Sequence, residues 1–332
     1  MSGSGHRGAH HWGDWHWGDW VASHAQALSI ALFLLLSCIL FGVGTEAFLS
    51  QGNLLNLLRQ AAPMLIVAVA MTFVITTGGI DLSVGSTVAL TNALAALALA
   101  AGLPWPLAVL SILLLGLCIG AMQGWFVATQ GIPSFIVTLA GLSALRGLAL
   151  LLTQGYSIPI APSTFTAIGR GWLLGVPVPA MLATLVAVVG FVVLRRTRFG
   201  RQVTATGANS EAARRVGMPV RRVTGSVYAL AGAASALAGL VIAARLGSGS
   251  SNAAVGFELD VIAAVVLGGT SLAGGRGSVV GTVLGALTIA VVGNGLILAH
   301  VSPFFTQILT GAIILAAVWM NTRLFTRTPR IG

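Results

Sequence analysis

The chain has 332 residues, 56% of them hydrophobic and 7% charged, with a net charge of +10. Soluble domains carry about 25% charged residues, so this complement cannot form a water-facing shell, and the mean hydropathy of +0.96 points to a polytopic membrane protein. The basic excess does not indicate nucleic acid, because the arginines flank apolar segments as they do in cytoplasmic loops.

Residues 1–25 carry the repeat HWGDW at 11–15 and 16–20, with His6, His10, His11, His16 and His24 nearby. Imidazoles in such number suit a transition metal. A disordered tail whose tryptophans rest at the membrane interface is the simpler reading. The first apolar run, 27–43, has no cleavage site followed by a soluble domain and is read as a retained span. About ten spans follow from runs near 20 residues: 27–43, 59–78, 82–102, 105–128, 132–153, 175–194, 223–244, 258–272, 278–300 and 303–321. The segment 258–272 is short, opens with two acids and ends in glycines, as a broken or re-entrant helix would. Cys38 and Cys118 lie in apolar runs and read as packing residues, not as a disulfide or a metal pair.

All 17 basic residues are arginines, and Arg195, Arg196, Arg198, Arg201, Arg214, Arg215, Arg221 and Arg222 crowd one loop with a single acid, Glu211. A basic loop between spans marks the cytoplasmic side. Six spans before the loop and four after it place both termini, Arg276 and the tail at 323–332 on that side. The segment 154–173 then lies outside, with only Arg170. The permease body is 26–322, and the loop is 195–222.

Charges within or beside spans are few: Asp81, Arg146, Glu258 and Asp260. Asp81 in GGIDLSVG suits a cap for the third helix, or an arginine partner at the interface. Glu258 and Asp260 open a helix and suit the same capping role. Arg146 sits inside a span, where a cation requires a partner or a polar cavity, and is the best candidate for a residue near a pathway. Gly78, Gly79, Gly268 and Gly269 suit tight turns or close backbone packing. With no lysine in the chain, a Walker A loop cannot form, so any ATP hydrolysis belongs to another subunit. Ser143 and His300 are a weak protease dyad, because the predicted topology separates them. An ion-coupled carrier usually places acids at mid-depth, whereas these lie at predicted helix ends, although backbone carbonyls at broken helices also bind ions.

Four stretches share one likeness. AMTFVITTGGIDLSVGSTVALTNALAA (70–96), IPSFIVTLAGLSALRGLALLLTQG (132–155), RTRFGRQVTATGANSEAARRVGMPVRRV (196–223) and GFELDVIAAVVLGGTSLAGGRGSVVGTVLGAL (256–287) resemble permease subunits of the ribose, xylose and galactoside ABC importers. The likeness runs in order from about 45 to 321. It implies an all-α permease of the vitamin B12 importer-like, type II fold. It also implies a second permease copy or paralogue, a separate sugar ABC ATPase that binds ATP and Mg, and a periplasmic or lipid-anchored sugar-binding protein. The chain itself would bind no cofactor and would lie in the bacterial inner membrane. Ribose, xylose, galactose, a furanose, a polyol and the autoinducer-2 signal all stay open as substrate. The class set against this is a facilitator or ion-coupled carrier that works without ATP.

The resemblance places the ATPase-coupling element in the arginine loop. NSEAARRVGM (209–218) reads as a short helix, capped by Asn209 or Ser210 and ended by Gly217. Glu211 suits its positive end, and Arg214 and Arg215 its negative end. Ala212, Ala213 and Val216 form a small apolar face. The residues alone suit either a groove on a partner or anionic headgroups; the resemblance selects the partner.

Overall fold

The structure is a computed structural model that describes residues 17–302 and scattered positions from 305 to 315. The first part of the N-terminal tail, most of the predicted span 303–321 and the tail 323–332 lie outside the described residues.

Helices dominate. They are α1 (Trp17–Gly44), α2 (Gln51–Thr76), α3 (Val84–Ala100), α4 (Trp105–Ala128) and α5 (Ser134–Thr153). A loop follows that holds β1 (Ile158–Pro159), the four-residue α6 (Ala167–Arg170), β2 (Trp172–Leu173) and β3 (Val176–Pro177). Then come α7 (Val178–Arg196), α8 (Arg198–Ala208), α9 (Ser210–Arg215), α10 (Val220–Leu246), β4 (Ser248–Gly249), α11 (Phe257–Leu267) and α12 (Val279–Leu298). β1 pairs antiparallel with β4, and β2 with β3. Among the described residues, seven helices are long and apolar enough to cross a membrane: α1, α2, α4, α5, α7, α10 and α12. α1 begins at Trp17, so residues 17–25 are helical and lead into the first apolar span, Ala27–Gly44.

α2 sits at the centre. It is apolar all round and buried almost without interruption from Ala61 to Thr76, as expected of a helix enclosed by others. α4 and α10 make the closest helix pair. Gly116, Gly120 and Gly124 repeat every four residues on α4 and face Gly225, Tyr228 and Gly232 of α10. A Cβ on Gly120 would run into the Tyr228 carbonyl oxygen, and one on Gly232 into the Gly116 carbonyl oxygen. Only hydrogen fits there, and the resulting proximity supplies the dispersion that replaces apolar burial within lipid. The outer faces of α4 and α5 expose Leu114, Leu117, Leu139 and Leu151.

Two non-helical stretches enter the bundle. After α2, the chain turns at Gly78 (φ 83°) and runs back beside α5. The Ile80 amide donates to Ser134 Oγ (3.2 Å), while Ser83 lies against Gly141. Seven helical residues separate Ser134 from Gly141, so α3 begins about 10 Å inside the bundle. From the other end, the segment after α10 passes down α3. A Cβ on Gly249 would touch Ala93 of α3 (3.1 Å), and one on Gly85 would meet the Ala254 carbonyl oxygen (2.9 Å) and Glu258. α11 therefore starts within the bundle, and its 11 residues rise only about 16 Å. The 258–272 segment is a half-span behind a re-entrant turn segment.

Candidate functional site

The α8–α9 hairpin forms one end of the molecule. Thr197 caps α8, accepting from the Gly200 amide (3.2 Å), and Asn209 caps α9, accepting from the Ala212 amide (2.9 Å). The Gly217 backbone at φ 80° ends α9, and the Met218 amide closes it by donating to the Ala213 carbonyl (3.0 Å). Glu211 and Arg215 form an exposed ion pair of 3.3 Å, and Arg214 is also exposed. The apolar face expected from the sequence is split. Ala213 is buried against the bundle, whereas Ala212 is exposed and Val216 is 73% exposed. A helix of six residues is less than two turns, so neighbouring small residues diverge around its axis.

This hairpin is fastened to the centre by side chains and by close backbone contact: Phe199 of α8 stacks on Phe73 of α2 (6.3 Å between ring centroids), and Val203 is buried in the same core. At the end of α8, a Cβ on Gly207 would run into the Thr76 carbonyl oxygen of α2. That oxygen also accepts from the Gly275 amide (2.9 Å). A Cβ on Gly274 would lie 2.8 Å from the Gly207 oxygen, and one on Gly277 would strike the Thr76 side chain. Gly274 and Gly275 both hold positive φ (81° and 76°), which glycine adopts freely. Thr72 and Thr282 join α2 to α12 through their hydroxyls (2.7 Å). Gly268 and Gly281 bring α11 against α12: a Cβ on Gly268 would lie 2.5 Å from the Gly281 carbonyl carbon. Gly269 then turns the chain at φ 82°.

The re-entrant stretches meet in a buried polar junction. Asp81, 1% exposed, accepts from the Ser83 amide (2.9 Å) and from its hydroxyl (2.7 Å). Ser83, not Asp81, is the N-cap of α3, and among the described residues Asp81 has no arginine partner. Gln123 of α4 bonds Ser83 (2.9 Å), Thr138 of α5 donates to the Ile80 carbonyl (3.3 Å), and Tyr228 of α10 donates to it as well (3.4 Å). Gly79 lies under that tyrosine, leaving 2.5 Å from its Cβ position to the phenolic oxygen. Arg146 reaches from α5 to the re-entrant segment, where its Nη1 donates to the carbonyls of Ser251 (2.6 Å) and Ala253 (2.8 Å). Glu258 and Asp260 stand in the first turn of α11, but the cap is Gly256 and no side chain caps it. Glu258 Oε2 is enclosed without a partner.

Toward the end opposite the hairpin, α2, α10, α11 and α12 line a half-open cavity of about 430 Å³, with Gln60 and Asp260 exposed in it. Asp260 lines it with Gln60, Arg245 and Asn294, three residues that the sequence alone did not single out. An amide or arginine at the edge of an apolar run was the available signal. Ala253 and Ala254, in the turn segment that Arg146 holds, form part of its wall. Ser143 is exposed on α5 and His300 lies just past α12, with no hydrogen bond between them. Cys38 and Cys118 are free thiols.

Residues 53–318 match a protein-family model described as "Branched-chain amino acid transport system / permease component". The chain is 41% identical to the ribose import permease protein of Haemophilus influenzae over 91% of this chain and 94% of the relative. It is 43% identical to the ribose import permease protein of Bacillus subtilis over 90% and 93% of the two chains. Identity to the xylose transport system permease protein of Escherichia coli is 38%, over 90% and 94%. No solved structure matches the chain significantly.

Proposed function

The chain belongs to the permease-component family of ABC import systems, and on that premise we propose that it is the membrane subunit of an ATP-driven, binding-protein-dependent importer. Its cargo is a monosaccharide, moved across the bacterial inner membrane by alternating access. The names of its relatives, ribose and xylose permeases, support the sugar class. In this reading the bundle has ten membrane segments in the vitamin B12 importer-like arrangement, with 303–321 as the tenth and both termini in the cytoplasm. The hairpin end faces the cytoplasm, where a partner ATPase binds ATP and Mg. A second permease copy or paralogue completes the pore, and a sugar-binding protein delivers cargo to the opposite end.

The observation that carries the proposal is the way α9 is held. It projects exposed Glu211, Arg214, Arg215 and Val216, while Ala213 is buried and Gly207 of α8 lies against central α2. ATP-driven closure of the ATPases draws α9 along. The contact of Gly207 with Thr76 passes the displacement to α2, and the turn at 274–277 passes it to α11 and α12. The pathway side of the same reading runs through the junction of Asp81, Arg146 and Glu258 toward Asp260.

The test is gentle solubilisation from native membranes, followed by mass spectrometry of what co-purifies. A Walker A ATPase that is lost when 209–217 is mutated is the expected result. A chain that reproducibly purifies alone contradicts the proposal.

A further inference from the structure

We infer that the cavity between α2, α10, α11 and α12 is a binding site for a neutral monosaccharide, built within a single copy of this chain. The inference rests on the sugar-import reading and adds where, and by which groups, the sugar is held.

The volume, about 430 Å³, lies in the range of roughly 300–1,000 Å³ typical of small-molecule sites. Its lining combines apolar walls with a few convergent polar groups. Met64 and Phe257 supply surface for the C–H face of a sugar ring. Asp260 supplies an acceptor; among the described residues it has neither an ion pair nor a side-chain hydrogen bond. Arg245 supplies a donor, because its Nη1 is enclosed without a partner. An enclosed guanidinium N–H left without an acceptor is costly, and a ligand oxygen relieves it. Gln60 and Asn294 add amides that both donate and accept. Asn294 is fixed by a reciprocal pair with Asn53, in which Asn53 Nδ2 donates to Asn294 Oδ1 (2.9 Å) and Asn294 Nδ2 donates to Asn53 Oδ1 (3.1 Å). That pair leaves one amide N–H of Asn294 for a ligand.

A hydroxyl both donates and accepts, so adjacent sugar hydroxyls satisfy a carboxylate and a guanidinium together. One lining carboxylate balances one lining guanidinium, which favours a neutral ring over a sugar acid. The nearby Arg59 does not line the cavity; it directs Nη2 to Asn56 (2.8 Å), while its Nε is enclosed without a partner. The four helices all belong to one chain, so the site needs no residue from a second copy.

Gly293 lines the cavity, and a Cβ there meets nothing within 4 Å. Gly293→Cys, in a chain carrying Cys38→Ser and Cys118→Ser, therefore places a thiol in the cavity without displacing a neighbour. Gly52→Cys at the start of α2, also with open space, is the control. The complete transporter in native-membrane cells is treated from outside with a membrane-impermeant methanethiosulfonate. D-ribose, D-xylose, D-galactose or D-galacturonate is present in turn, and uptake of each is measured in the same cells.

A neutral sugar that the cells take up should slow labelling of the Gly293→Cys thiol about fivefold or more at saturation, since about four-fifths occupancy suffices. Labelling of Gly52→Cys should not change. Asp260→Asn, close in shape, should raise the half-protecting concentration about tenfold or more, the loss of one charge-assisted hydrogen bond. Unchanged Gly52→Cys labelling in that variant shows that the chain is still inserted. Transport of a neutral sugar without protection, or an unshifted Asp260→Asn, overturns this site and leaves the importer reading standing. Protection by D-galacturonate alone overturns the neutral class. Failure to take up any of the four sugars overturns the sugar reading and the site with it.

Discussion

The α4–α10 seam yields a prediction whose magnitude follows from geometry. Gly120 and Gly225 both lie inside long helices, so alanine at either gains about the same helix propensity, roughly 1 kcal/mol. They differ in what the new methyl meets. At Gly225 nothing lies within 4 Å, whereas at Gly120 the methyl would run into the Tyr228 carbonyl oxygen and lie 3.0 Å from Ala229 Cα. Backbone cannot rotate away, so α4 and α10 must part by about 1 Å. Such a gap forfeits about a quarter to a half of each dispersion well of ~0.1–0.2 kcal/mol. Over some tens of atom pairs the loss is of order 1–3 kcal/mol, the usual cost of overpacking. Propensity cancels in the comparison, so the Gly120→Ala midpoint should fall below that of Gly225→Ala by roughly 2–6 °C. Thermal denaturation in detergent, followed by size-exclusion fluorescence, measures it. Equal midpoints would refute the contact seam as the basis of this packing.

Three further outcomes follow. Glu211→Arg and Arg215→Glu break a pair whose side chains are 63% and 78% exposed, which costs at most about 0.5 kcal/mol of stability. Each should leave the thermal midpoint unchanged while lowering uptake and ATP turnover; activity at the parental level in both would exclude α9 as the coupling element. Gly207→Ala, which drives a methyl into the Thr76 carbonyl, should cut sugar uptake about tenfold while the assembled complex still hydrolyses ATP, as overpacking of 1–3 kcal/mol predicts. Retained uptake would show that the hairpin does not act through the Gly207–Thr76 contact. Arg146→Gln removes charge-assisted bonds to the Ser251 and Ala253 carbonyls, and uptake should fall about tenfold or more with insertion unchanged; parental uptake would deny the re-entrant segment a role.

The spans are legible because lipid demands long apolar runs. The fourth expected span coincides with Trp105–Ala128, and the sixth lies within a few residues of Val178–Arg196. α2 starts eight residues before its expected span, because QGNLLNLLRQ is polar and carries Arg59, yet is helical from Gln51. The re-entrant path of 77–83 is not legible. Extended backbone inside a bundle depends on partners such as Ser134, Thr138 and Gln123, which lie far along the chain. The local signals of α9 are legible, since a cap and a terminating glycine act over a few residues. Its apolar face is not, because which alanine turns inward depends on how α8 docks. The cavity is hidden for the same reason: Gln60, Arg245, Asp260 and Asn294 come from four helices, and of its two charges the sequence pattern marks only Asp260.

The central claim is that this chain imports a sugar on energy drawn from a partner ATPase. Reconstitution of the chain into liposomes, with its co-purifying ATPase and binding protein and with ATP on the ATPase side, tests it most directly. Radiolabelled sugar should accumulate only when ATP and both partners are present, and omission of any one should abolish transport. Equal sugar flux through the chain alone, in liposomes without ATP, would contradict the account and make the chain a facilitator or an ion-coupled carrier.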